Sequence, residues 1–172
     1  MHENPAVRAR VFTGVRNVVT SRIPFDDVIS RLKAQCGHST IAELVALAKE
    51  GFTGEDYANE VRRRYVGKSG FMLFSAIDHG GWIPAFGLHQ RAVRWILGNP
   101  LIAITMLRHD LSAGLFAPVE LLVTEEGPDG KCVITYLRPS SLIVIDGNPE
   151  LEAAAISLDE KFDALVLNIS GH

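Results

Sequence analysis

The stretch Phe71-Met72-Leu73-Phe74-Ser75-Ala76-Ile77, broken by Asp78-His79-Gly80-Gly81-Trp82, decides how this chain folds. The apolar run is too short for a buried helix and is bounded by glycine, so it reads as a strand buried on both faces. Working outward, Ala92-Val93-Arg94-Trp95-Ile96-Leu97 is the next strand, after an irregular or briefly helical piece from Ile83 to Gln90. It stops at Gly98-Asn99-Pro100, where Asn99 is a good N-cap and Pro100 a good first helical residue. A helix from Leu101 to about Leu111 follows. Val119 to Thr124 and Cys132 to Tyr136 are two further strands. Between them Glu126-Gly127-Pro128-Asp129-Gly130 supplies hairpin-turn chemistry.

The flanks are as readable. Val11 to Thr20 is an opening strand rich in β-branched residues, in which Gly14 marks a bulge or a close approach. Phe25, Val28, Ile29 and Leu32 recur at helical spacing behind Pro24, and Asp26 and Asp27 suit the positive end of that helix. Thr40 and Glu43 have capping-box spacing ahead of a second helix that stops at Gly51. Thr53-Gly54-Glu55-Asp56 opens a third, ending near Gly67. Leu142 to Asp146 is ambiguous between strand and helix end. Gly147-Asn148-Pro149 then opens a C-terminal helix reaching about Leu167. The tally is α+β: a mixed sheet of about five strands, partly antiparallel, with helices packed on one face. No Pro- or Ser-rich linker divides residues 1–172, so a single domain is expected.

Composition agrees with a folded domain. Of 172 residues, 47% are hydrophobic and 22% charged, which argues against global disorder. The net charge of −3 gives no broad nucleic-acid surface. Arg62-Arg63-Arg64 is a basic run, but it spreads around a helix and has Glu55, Asp56 and Glu60 close by. Cys36 and Cys132 form no C-x-x-C pair and read as buried free thiols in a reducing cytosol. Met1 to Pro5 lacks the basic-then-apolar pattern of a signal peptide. Apolar runs such as Leu101 to Leu107 fall far short of the roughly 20 residues a bilayer needs. A cytoplasmic protein without membrane or nucleic-acid partners is therefore expected.

Three motifs in order carry a resemblance. They are Phe74-Ser75-Ala76-Ile77-Asp78-His79-Gly80, then Leu97-Gly98-Asn99-Pro100, then a hairpin with Tyr136 ahead of Pro139. Together they resemble the bacterial domain of unknown function 302 family. The resemblance implies a two-layer α+β fold, comparable with TATA-binding-protein-like folds, and a homodimer. The chain departs from the pattern in places. Residues 39–68 read as a helical insertion, residues 147–172 as a C-terminal helical extension, and Phe116-Ala117-Pro118 stands ahead of the hairpin where Leu-Pro is usual.

The candidate site residues cluster around the same motifs. Asp78 and His79 end a buried strand, where a histidine can act as acid or base and glycines let a ligand approach the backbone. Adjacent strand residues point to opposite faces, so the two need not touch. The structural alternative is a turn in which Asp78 binds backbone amides. Asn99 opens a helix N-terminus that can hold an anion, or simply caps it. Thr105 lies on that helix and shares a face with His109. Tyr136 and Arg138 end the hairpin strand, and with Arg94 they could line a pocket for an acidic ligand. Alternatively Tyr136 covers a core edge. His79, His89 and His109 lack any metal-site spacing, and no cofactor fingerprint is present, so neither metal nor cofactor is expected.

Two readings of function stand side by side. One is a ligand-binding module for a small anionic or polar metabolite, its pocket near Asp78, His79 and Asn99, with Thr105, Tyr136 and Arg94 as further contacts. The other is an enzyme with His79 and Asp78 as catalytic residues in the same pocket. A purely structural dimerisation domain is a third.

Overall fold

The structure is a computed structural model that describes residues 7–127 and 129–172. Met1 to Pro5 and Pro128, read above for targeting and for the hairpin turn, lie outside the described residues. The strands are β1 (Arg16–Thr20), β2 (Gly37–His38), β3 (Met72–Asp78), β4 (Ala92–Gly98), β5 (Val119–Glu126) and β6 (Lys131–Leu137). The helices are α1 (Phe25–Gln35), α2 (Ile41–Lys49), α3 (Gly54–Tyr65), α4 (Pro100–Leu107), α5 (Ser140–Ile143) and α6 (Pro149–Ser170). Two single 3₁₀ turns, Ile83–Phe86 and Leu111–Leu115, follow β3 and α4.

The architecture is α+β, with one mixed sheet of six strands in the order β1-β6-β5-β4-β3-β2. Every pairing is antiparallel except β2 with β3. The strand missing from the sequence reading is β2. Two residues are too short for any period, and Gly37 reads as a helix stop. Val11 to Val15 is not strand, because the pairing with β6 begins only at Arg16. The ambiguous segment after the hairpin starts as the short helix α5. Both Gly-Asn-Pro triplets cap as read: the Asn99 side chain accepts from the Leu101 N–H and Asn148 from the Leu151 N–H. The Thr40–Glu43 capping box is complete.

Alternation along the strands fixes the layers. Trp95, Leu97, Val119, Leu121, Val123, Ile134 and Tyr136 are buried and face α1, α4 and α6, which supply Phe25, Val28, Leu32, Met106 and Phe162 among others to one core. Polar ties reinforce this layer. Arg91 stacks on Phe25 at 4.0 Å and bonds Asp26 and Glu125. Met72 alternates with Leu73 to the other side and joins Leu44, Leu47 and Val61 in a second cluster built by α2 and α3. Among the described residues no helix layer covers the remaining outward side of the sheet.

Candidate functional site

The open face can be written as a grid from the strand registers. One row runs Arg16, Leu137, Glu120, Ile96, Ser75 across β1, β6, β5, β4 and β3, where Leu137 and Glu120 are adjacent by extension of the ladder. The next runs Val18, Thr135, Leu122, Arg94, Ile77. His79 follows Ile77 by two residues and so lies on the same side, beside Ala92, whose carbonyl accepts from the Gly80 N–H at 3.0 Å. Leu115, Phe116, Pro139 and Leu142 rise at one end of this face and turn it into a groove of about 740 Å³. That volume lies within the roughly 300–1,000 Å³ of small-molecule sites.

The groove is an apolar trough with a few charges. Arg94 donates through Nε to Glu120 Oε2 at 2.7 Å and through Nη2 to the same oxygen. Arg16 is exposed and forms no ion pair among the described residues. It lies two strands from Glu120 in the same row, about 10 Å away at the backbone. The half-buried His79 ring meets the Trp82 ring edge-on at 5.9 Å. A guanidinium, an ion pair and an imidazole thus border an apolar floor.

The other candidates separate from this place. Asp78 pairs with Val93, whose side chain faces the helices, so Asp78 and His79 point to opposite sides of β3. The Asp78 carboxylate instead accepts the Gly81 N–H at 3.1 Å and shapes the turn. Asn99 belongs to the opposite end of the β3–β4 ladder, since Met72 pairs with Gly98 whereas Asp78 pairs with Val93. Six residues of strand put the two ends about 20 Å apart. The pocket expected to join Asp78, His79 and Asn99 is therefore not formed. The Asn99 amide is engaged at both ends, its Nδ2 donating to the Gly70 carbonyl at 2.8 Å and its Oδ1 accepting from Leu101. Thr105 is exposed, lines neither cavity described here, and returns its hydroxyl to the Ile102 carbonyl.

Tyr136 lies beneath the groove, but its ring is 5.0 Å from Phe162 on the helix side. Its hydroxyl donates to Asp163 Oδ1 at 2.5 Å, and burial, followed by that carboxylate, pushes its pKa up to about 12. It is a tie between sheet and α6. Arg16 is the groove residue that sequence reading missed. Its parity with Val18 was visible, but nothing in the sequence says that β1 lies beside β6. The basic run is neutralised locally: Arg62 pairs with Glu55, and Arg63 and Arg64 both pair with Glu60. Among the described residues no group of three or more His, Cys, Asp or Glu could hold a metal ion, and no helix is long and apolar enough to cross a membrane.

A model of the family described as domain of unknown function DUF302 matches residues 53–169, more than half of the chain. The chain belongs to the DUF302 family. Its match begins at α3, so α3 lies inside the matched region and α2 outside it. The fold is similar to the crystal structure of an uncharacterized conserved protein DUF302 from Bacillus stearothermophilus, with a TM-score of 0.61 and 19% identity. That similarity covers 90% of this chain and 97% of the other. No curated protein matches the chain.

Proposed function

We propose that this DUF302 domain binds a small amphipathic molecule with an anionic group in the groove on the open face of its sheet. The observation that carries this reading is the exposed Arg16 guanidinium, without an ion-pair partner among the described residues, at the rim of an apolar trough about 740 Å³ in volume. The apolar floor would take the body of the ligand, and Arg16 its charge. Arg94 would add a second contact once its bond to Glu120 loosens. Binding is favoured over catalysis because the Asp78 carboxylate is engaged by Gly81 and leaves His79 without an orienting partner at that position. Buried thiols at Cys36 and Cys132, unpaired, fit a reducing cytoplasmic setting.

Octanoate is a suitable probe, with one carboxylate on an apolar chain. Titration should shift the backbone amide resonances of Arg16, Arg94, Leu122 and Thr135, and Arg16→Glu should weaken binding by about tenfold. The reading fails if those resonances stay still, or if Arg16→Glu binds as tightly as the parent.

A second reading concerns assembly, and the free edge of β3 favours it. Only Met72 and Leu73 pair with β2, so among the described residues Ser75 to Asp78 present an unpaired edge. Ile77, Trp82, Phe86 and Leu88 beside it are exposed hydrophobics. We infer that two copies pair along this edge, since an unpaired strand edge with apolar flanks is a template for another strand. Sedimentation of the parent and of Ile77→Lys would test it: a dimer dissociated by the lysine supports the reading, and a parent monomer ends it.

A further inference from the structure

A second cavity, which adjoins the groove at Pro118 and Val119 but carries none of its charged side chains, lies where the two hydrophobic clusters meet. It has a volume of about 160 Å³ and is lined by α2, α4, the start of β3, residues 117–119 and Leu158 of α6. Its floor is core: Phe71 and Met106 are fully buried, and Leu158 and Val119 nearly so. Leu44 comes from the second cluster, and Ile41 stands exposed at the mouth. The cavity is thus the seam that two separately packed cores leave between them.

Its lining excludes a charged guest. Asn99 carries the one polar side chain among the described lining residues, and each end of its amide already makes one bond, Oδ1 accepting from Leu101 and Nδ2 donating to Gly70. A carboxylate or phosphate would find no cationic side chain there, only the second N–H of the Asn99 amide, and one such bond does not repay the loss of its hydration. Size points the same way. An enclosed apolar cavity of about 150 Å³ lined by Leu, Ile and Phe takes benzene, and this one has the same size and lining but opens to solvent beside Ile41.

The helix forming one wall gives an independent observation. α4 reads Pro100-Leu101-Ile102-Ala103-Ile104-Thr105-Met106-Leu107 and is apolar almost all round. A helix of that kind is ordinarily buried on every side. Here only Met106 is fully buried, while Ile102 and Ala103 are half-buried facing the cavity. The apolar surplus on that wall matches an apolar guest beside it. The Cβ of an alanine at Gly98 would sit 3.1 Å from the Phe74 ring and 3.2 Å from Pro118, so this rim is already closely packed.

We propose that this seam is a binding site for one uncharged apolar ring or short alkyl chain, distinct from the groove. Benzene is the direct probe. It should raise the melting temperature and shift the methyl resonances of Met106 and Ala103. Ala103→Phe should fill the cavity and weaken benzene by at least about tenfold. If Ala103→Phe loses its native circular dichroism, Ile41→Trp at the exposed mouth decides, with the same loss expected. Arg16→Glu, which tests the groove, should leave benzene binding intact. Unshifted Met106 and Ala103 methyls at saturating benzene overturn the proposal, as does parental benzene affinity in a folded Ala103→Phe or Ile41→Trp.

Discussion

Arg94 of β4 and Glu120 of β5 close on each other diagonally across the open face, with two guanidinium nitrogens on the single oxygen Oε2. Both side chains are partly exposed, so the pair contributes little stability. Its consequence is electrostatic, because the carboxylate cancels the charge that Arg94 would offer an anion. Glu120→Gln should therefore raise octanoate affinity by several-fold, and Arg94→Met should lower it. Isothermal titration at low and at moderate salt checks both, with the gain shrinking as salt rises. Equal affinity in parent and Glu120→Gln would remove Arg94 from the site.

The Tyr136–Asp163 tie gives a pH-dependent prediction. Tyr136 ordinarily ionises near 10 and in the fold only at about 12. Between those values the unfolded chain releases the proton and the folded chain keeps it. Stability from this group is complete below pH 10 and is lost as pH rises toward 12. Tyr136→Phe should cost about 0.5–1.5 kcal/mol at neutral pH and show a shallower alkaline decline than the parent. Urea unfolding of both proteins at pH 8 and pH 11 measures the difference.

Asn99 should behave as a structural residue. It caps α4 through Leu101 and ties that helix start to Gly70. Asn99→Ala should cost about 1–2 kcal/mol of stability. Octanoate binding should be unchanged, because Asn99 lies at the other end of the β3–β4 ladder from His79. A loss of octanoate affinity with unaltered stability would return Asn99 to the site.

These residues show where sequence was legible. Capping chemistry is local, so Asn99, Asn148 and the Thr40–Glu43 box could be read directly. The long periodic elements were readable for the same reason. What escaped depends on register, which no local pattern encodes. The motifs Asp78-His79 and Gly98-Asn99-Pro100 look adjacent along the chain, yet antiparallel pairing drives them to opposite ends. Tyr136 looks like a ligand contact until its parity with buried Ile134 puts it under α6. Arg16 gains meaning only because β1 crosses to the far edge beside β6.

The strand β2 offers the most demanding test of the fold, because a backbone crossing rather than a side chain creates it. The N–H groups of Gly37 and Gly67 both donate to the Phe71 carbonyl, at 2.9 and 3.1 Å. The two backbones must approach so closely that a Cβ on Gly37 would lie 1.7 Å from the Tyr65 carbonyl oxygen, and one on Gly67 would lie 2.1 Å from the Gly37 nitrogen. Neither obstacle is a movable side chain. Gly37→Ala should therefore open the crossing, free β2 from β3 and loosen α3 at its C-terminal end. The cost should reach about 3 kcal/mol, at the upper end for overpacking, whereas Gly147→Ala, with open space around its Cβ, should fall within about 0.5 kcal/mol of the parent. Chemical denaturation gives both values, and hydrogen exchange should show Gly37 and Ser39 amides deprotected in Gly37→Ala while the β5–β6 ladder stays protected. A neutral Gly37→Ala would mean that the two backbones do not cross this closely.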